Sequence, residues 1–165
     1  MRVGVFPGSF DPLTTAHLAI ADAAIVACRL DRLDLMMSRA ALAKEPGGHA
    51  PIEERVAAIE RAALDRPALR AVTTDYQLIA DLADGYDVCV LGADKWHQLH
   101  DVEFYDGSVA ARDAALARLP MLAVAPRHGV RAPVPHERLV ILPVDAAFHG
   151  ISSTSVRAGR EEWRA

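Results

Sequence analysis

Val3 to Leu18 reads VGVFPGSFDPLTTAHL, and the reading of this stretch decides the fold. Arg2 to Phe6 is short, apolar and bounded by Pro7 and Gly8, the mark of a buried strand rather than a helix. Gly8 has no Cβ, so the chain can turn tightly there and bring backbone N–H groups close to a ligand. From about Thr15 the run Leu18, Ile20, Ala21, Ala24 and Ile25 gives a helical apolar face, with Thr14 or Thr15 as its N-cap. The unpaired N–H groups and positive dipole end of such a helix attract anions. Thr14 and His17 lie three apart, so on a first helical turn they face the same way. An oxygen and an imidazole then flank whatever anion sits at the turn. The stretch has neither the GxGxxG fingerprint nor the P-loop pattern.

Outward from this unit, strands and helices alternate. Leu33 to Met37 is a second strand, and the polar segment Ser38 to Pro51, with Lys44, Glu45, Gly47, Gly48 and His49, reads as a mobile loop at its carboxyl end. Ile52 to Leu64 has Ile52, Val56, Ile59 and Ala63 at helical spacing, with Glu53 and Glu54 in its first turn and Pro67 beyond its end. Leu69 to Thr73 is a strand, Asp75 to Ala83 a helix stopped by Gly85, and Asp87 to Leu91 a buried strand ending at Gly92-Ala93-Asp94. Ser108 to Leu119 reads as a helix, Met121 to Ala125 as a strand, Val130 to Glu137 as a loop, and Leu139 to Leu142 as a last strand. Ser152 or Ser153 caps a final helix from which Thr154, Arg157 and Arg160 project. This order predicts an α/β fold: an open parallel sheet with helices on both faces and a ligand crevice at the carboxyl ends of its strands.

The 165 residues are 52% hydrophobic, which suits a single domain over 1–165 with a sizeable core. A net charge of −4 gives no basic footprint, so no nucleic-acid partner is expected. Cys28 and Cys89 have neither metal nor redox spacing and read as reduced core thiols, which points to the cytoplasm. No apolar run approaches the roughly 18 residues of a membrane span, and the first strand is too short for a signal segment.

A second motif lies far downstream, Ile151 to Arg157, ISSTSVR. Together with GSFDPLTTAHL, it resembles the nucleotidylyltransferase superfamily, whose signature pairs (H/T)xGH with ISSTxxR. The resemblance implies a Rossmann-like fold and transfer of AMP from ATP to a phosphorylated acceptor, with pyrophosphate released and Mg²⁺ arriving with the ATP. It assigns His17 to an α-phosphate oxygen, Thr14 to the adjacent oxygens, and the Gly8–Ser9 turn with Ser152, Ser153, Thr154 and Arg157 to the remaining phosphates. Phe10 and Asp11 match as turn-shaping or substrate-edge residues. Lys44 is the candidate for the family's cation after the second strand. The chain departs from the pattern at Ala16, where the family has glycine. Such chemistry rests on positioning and electrostatics and requires no general base. No protein metal site is expected; His97, His100 and Asp101 lack a third spaced ligand.

The acceptor is read from Leu91-Gly92-Ala93-Asp94-Lys95-Trp96 and Arg127-His128-Gly129, which resemble the bacterial nicotinate-mononucleotide adenylyltransferases of NAD biosynthesis. That resemblance places Gly92, Asp94, Trp96 and Arg127 around the acceptor, with Asp94 on a ribose hydroxyl and Trp96 stacked on a pyridine ring. The short length, the Thr14 version of the first motif and the missing PPHK pattern keep phosphopantetheine or another acceptor as alternatives. A catalytically degenerate nucleotide-binding protein is the alternative of another class, and Trp163 is a candidate subunit contact in a homo-oligomer.

Overall fold

The computed structural model describes residues 1–42 and 49–165; Lys44, the candidate loop cation, lies outside the described residues. Strands β1 (Val3–Pro7), β2 (Arg32–Ser38), β3 (Leu69–Thr74), β4 (Val88–Gly92), β5 (Met121–Ala125) and β6 (Leu139–Ile141) form a six-stranded sheet. Its order is β3-β2-β1-β4-β5-β6 and every neighbouring pair is parallel. The helices are α1 (Thr15–Cys28), α2 (Arg39–Leu42), α3 (Ile52–Ala63), α4 (Ile79–Leu82), α5 (Ala93–His100), α6 (Val109–Arg118) and α7 (Ser153–Arg157). This is the Rossmann-like α/β arrangement that the alternation predicts.

The period of two along each strand divides the core into two layers. Phe6, Leu33, Leu35, Met37, Val88 and Val90 pack with Ile20, Ala21 and Ala24 of α1 and Ile59 of α3. Their neighbours Val5, Met36, Cys89 and Leu91 pack on the opposite face with α4, α5 and α6. Each fully buried Leu or Ile contributes about 1.5–3 kcal/mol. One acid interrupts the apolar pattern: Asp34 of β2 is buried, and it accepts from the Tyr86 hydroxyl at 2.8 Å and pairs with Arg32.

α1 starts at the Thr14 cap and stops where Arg29 adopts φ 52°, its N–H reaching back to the last carbonyls. The chain then returns through β2 and β3 on one side of β1 before crossing to β4 on the other, so the strand order reverses between β1 and β4. Ligands of open parallel sheets bind at that reversal, outside the carboxyl ends.

Two elements differ from the expectation. The helix expected over Asp75–Ala83 is confined to Ile79–Leu82, because the Thr74 hydroxyl accepts the Tyr76 N–H at 3.2 Å and turns the chain locally. The loop expected from Ser38 begins with a helical turn, Arg39–Leu42, built from good helix formers. Among the described residues no helix is long and apolar enough to cross a membrane.

Both cysteines are free and buried, and burial raises both thiols, Cys89 to about 12. Native protein is therefore expected to resist an aromatic disulfide reagent at pH 8, with both thiols reacting only after denaturant is added. Fast labelling of the native protein would show that the two core layers are not closed.

Candidate active site

The turn after β1 is shaped by one ring and held by its carbonyls. Phe10 adopts φ 47°, a backbone region that a bulky residue rarely occupies. Its ring is almost fully buried and meets Phe6 edge-on at 5.4 Å, which offsets that strain. The same ring fixes Gly8, since a Cβ there would come within 2.9 Å of Phe10 Cζ. Behind the turn, Arg55 Nη1 donates to the Ser9 carbonyl at 2.8 Å, Ser153 Oγ to the Pro12 carbonyl at 2.8 Å, and Arg157 Nη1 to the Asp11 carbonyl. Engaging these carbonyls ties up acceptor oxygens that would repel a phosphate at the turn.

Thr14 and His17 form a reciprocal cap at the start of α1. The Thr14 hydroxyl oxygen accepts the His17 N–H at 3.3 Å, and His17 Nδ1 accepts the Thr14 N–H at 3.0 Å. An Nδ1 that accepts carries no proton, so the neutral ring bears its proton on Nε2. Burial between the Phe6 and Phe10 rings, 6.1 and 5.0 Å away, lowers the His17 pKa from 6.5 to about 4, with the Arg127 charge adding to the effect. At neutral pH His17 is a fixed, uncharged N–H donor.

An open crevice of about 410 Å³ runs across the carboxyl ends of β1, β2 and β4, within the size range of small-molecule sites of roughly 300–1,000 Å³. Gly8, Ser9, His17, Gly92, Asp94, Arg127, Ser152 and Ser153 line it. Gly92 leaves room for the Asp94 carboxylate, since a Cβ there would lie 2.5 Å from Oδ1 and move that exposed side chain. Arg127 Nη1 donates to the Ile151 carbonyl at 2.8 Å and its Nε lies 3.9 Å from Asp94 Oδ1. Ser152 is the N-cap of α7, accepting the Ser155 N–H at 3.1 Å, which settles the choice between Ser152 and Ser153. With five residues α7 carries a weak dipole, so its contribution is made by side chains.

The other predicted residues are placed elsewhere. Thr14 and Asp11 are buried, and Asp11 accepts from Ala50 N at 3.4 Å and pairs with His49 at 2.5 Å. Thr154 and Arg157 are exposed and lie outside the described crevice lining, as does Trp96, whose ring packs against His97 and His100 at 4.9 and 4.4 Å. Ala16 is fully buried and also outside that lining, so its methyl group packs into the core. His97 and His100 bond to the Arg131 and Trp96 carbonyls.

Sequence reasoning missed Arg55, Lys95 and the compartment of Met36, Ser38, Gln77, Ile79 and Leu82. Arg55 left a trace: it sits three after Ile52 and four before Ile59, a charge on an apolar helical stripe. Gln77 left none, since the expected helix hid its turn.

Neutral donors, hydroxyls and a guanidinium around an open crevice can hold and polarise phosphates, while no activated protein nucleophile stands among the described lining residues. That equipment suits a domain that transfers nucleotidyl groups between phosphates. The cytidylyltransferase-like family model matches residues 5–159, and the chain belongs to this family of nucleotidylyltransferase enzymes. It is 36% identical over 142 residues to a "Probable nicotinate-nucleotide adenylyltransferase" of Gluconobacter oxydans, covering 81% of this chain and 70% of that one. It is 33% identical over 91 residues to a phosphopantetheine adenylyltransferase of Rhizorhabdus wittichii, covering 55% and 52% of the two chains. Its fold matches the Plasmodium falciparum nicotinic acid mononucleotide adenylyltransferase complexed with APC at a TM-score of 0.66, with 13% identity, over 95% of this chain and 82% of that one.

Two outcomes follow for the cap and the turn. Because the folded pKa of His17, about 4, lies below the ordinary 6.5, its contribution is complete above pH 6.5 and is lost as pH falls towards 4. Urea midpoints should drop over that window by the equivalent of up to about 3 kcal/mol, and His17→Gln should flatten the drop. An identical acid profile in the variant would contradict the buried neutral ring. Arg55→Met leaves the Ser9 and Ala50 carbonyls unpaired and should cost about 1–3 kcal/mol of stability in the same titration. An unchanged midpoint would mean that the turn does not depend on this anchor.

Proposed function

We propose that the protein transfers AMP from MgATP to nicotinate mononucleotide, releasing pyrophosphate, as one domain spanning 1–165. The observation that carries the reading is the neutral His17, fixed by Thr14 beside the crevice. The Gluconobacter relative supports the choice of acceptor.

In this reading an acceptor phosphate oxygen attacks the α-phosphorus, the bond from that phosphorus to the bridging oxygen breaks, and pyrophosphate leaves. His17 Nε2–H donates to a non-bridging α-phosphate oxygen whose charge grows in the transition state. The attacking oxygen is already anionic, so no base is required. Thr14 acts through His17, holding the ring in one tautomer. Ser9 and Ser152 supply hydroxyls along the triphosphate, while Ser153 holds the Pro12 carbonyl of the turn.

Mg²⁺ prefers oxygen ligands and commonly binds through substrate phosphates and one or two carboxylates. Asp94 is the carboxylate among the described lining residues, and its exposed side chain suits an ion carried in by the triphosphate. The ion neutralises charge on the leaving pyrophosphate. Met36, Ile79, Leu82 and Leu91, with Ser38 and Gln77, give a mostly apolar compartment for the acceptor's base.

The Rhizorhabdus match favours a second reading, phosphopantetheine as acceptor. Pyrophosphate release from MgATP with nicotinate mononucleotide, nicotinamide mononucleotide and phosphopantetheine separates the two. The account expects the highest kcat/KM with nicotinate mononucleotide, and higher activity with phosphopantetheine would replace the first reading with the second. His17→Ala should lower kcat by about 10²–10³-fold with little change in MgATP binding. Full turnover in that variant would overturn the proposal.

A further inference from the structure

A second cavity, of about 360 Å³, lies against α3 and the carboxyl-terminal tail and shares no lining residue with the crevice. Its apolar lining comes from Phe10, Pro12 and Leu13 after the turn and from Ala57 and Ala58 of α3. Glu54, Ala57, Ala58 and Arg61 recur at spacings of three and four, so one face of α3 presents two methyl groups between two exposed charges. Arg55, only 3% exposed, also lines the cavity. Its Nε donates to the Ala50 carbonyl at 3.1 Å and its Nη1 to the Ser9 carbonyl at 2.8 Å, while Nη2 makes no bond among the described residues. Nη2 is not sealed off, so its N–H groups open on the cavity. Buried charges are ordinarily paired, and burial works against the Arg55 cation. Asp11 acts on it through space, but both oxygens of that carboxylate are bonded, to His49 at 2.5 Å and to the Ala50 N–H at 3.4 Å. The Arg61 guanidinium has no bonded partner among the described residues, and Arg164 is held by Glu161 at 2.8 Å in an exposed pair.

We propose that this cavity binds a small organic carboxylate, its oxygens on Arg55 and Arg61 and its short apolar chain against Phe10, Leu13 and the α3 alanines. Three guanidiniums line the cavity against the carboxylates of Glu54 and Asp11, and Asp11 is already engaged by His49, so the balance favours an anion. The planar edge of a guanidinium matches a carboxylate through two parallel N–H···O bonds. A bare inorganic anion would satisfy the arginines and leave the apolar lining in water, which is the reason for a ligand with a chain. The volume lies within the range of small-molecule sites, roughly 300–1,000 Å³. None of these residues lines the crevice, so the site stands apart from the adenylyl-transfer reading. An occupant bridging Arg55 and Arg61 adds to the anchor on the Ser9 carbonyl and stabilises the turn from behind.

The test is an NMR titration of the full chain, labelled with nitrogen-15, with hexanoate as the probe. Hexanoate should shift the amide signals of Leu13, Ala57 and Ala58 and the Arg55 Nε–H signal together and saturably. The expected Kd is on the order of 1 mM, the affinity that about eight heavy atoms can supply. MgATP should not displace it, and inorganic phosphate should bind there about tenfold more weakly or less. Arg61→Gln should weaken hexanoate about fivefold or more, and Ala57→Leu, which fills the cavity, should remove the saturable shifts. Hexanoate at about 10 mM should raise the melting temperature of the wild type by a few degrees and leave that of Ala57→Leu unchanged. Phosphate that binds as tightly as hexanoate would overturn the choice of an organic carboxylate. Shifts that stay linear to about 50 mM, or that move to Gly92 and Gln77 of the crevice and vanish with MgATP, would overturn the site. So would an unchanged Kd in either variant that keeps the wild-type fold.

Discussion

The Thr14 N–H directed at His17 Nδ1 over 3.0 Å sets three things together: where α1 begins, which way the imidazole points, and which nitrogen keeps its proton. In an ordinary capping box a glutamate or glutamine at this position would satisfy the same N–H and leave nothing for a ligand. An imidazole satisfies it with one nitrogen and has a second to spare. The stabilising cap and the proposed phosphate donor are therefore one side chain, and α1 cannot keep its start while His17 adopts another tautomer. The phenylalanine rings beside it complete the arrangement by making the charged form costly.

The rest of the fold supplies support for that cap from elements distant in sequence. Arg55 of α3 and Arg157 of α7 reach the turn from two sides, and the last residue closes it from a third, with Ala165 N donating to the Leu13 carbonyl at 3.0 Å and Arg164 bridging Thr14. Arg160, stacked 3.9 Å over Trp163, orders the tail that makes this contact. The Trp163 ring thus meets Arg160 within the same tail. A parallel sheet cannot place Leu13, Arg55 and Arg157 side by side through local sequence. Only the return of each crossover to the same end of the sheet does so.

Much of this was legible in the residues. Strands such as Val88–Gly92 and Met121–Ala125 are uninterrupted apolar runs because both of their faces are covered, and that makes them readable. The Thr14–His17 pairing was legible too, since spacing of three on a helix start is a local geometric fact. What stayed hidden was set by tertiary contact. The sequence placed Arg157 at the phosphates and Arg127 at the acceptor, and only the fold shows Arg127 lining the crevice and Arg157 on the Asp11 carbonyl. Trp96 reads as an acceptor platform from its position after Asp94, yet α5 continues through it to His100 and turns its ring onto two histidines. Gln77 was hidden because a single Thr74 hydroxyl bond replaced a helix with a turn.

The most direct measurement of the account is the nitrogen NMR signature of His17 in protein labelled at histidine. The account predicts a pyridine-type, unprotonated Nδ1 and a protonated Nε2, unchanged from pH 8 down to pH 5, with protonation only near pH 4. A ring that titrates near its ordinary 6.5, or one that carries its proton on Nδ1, would contradict the cap as the feature on which the site is built.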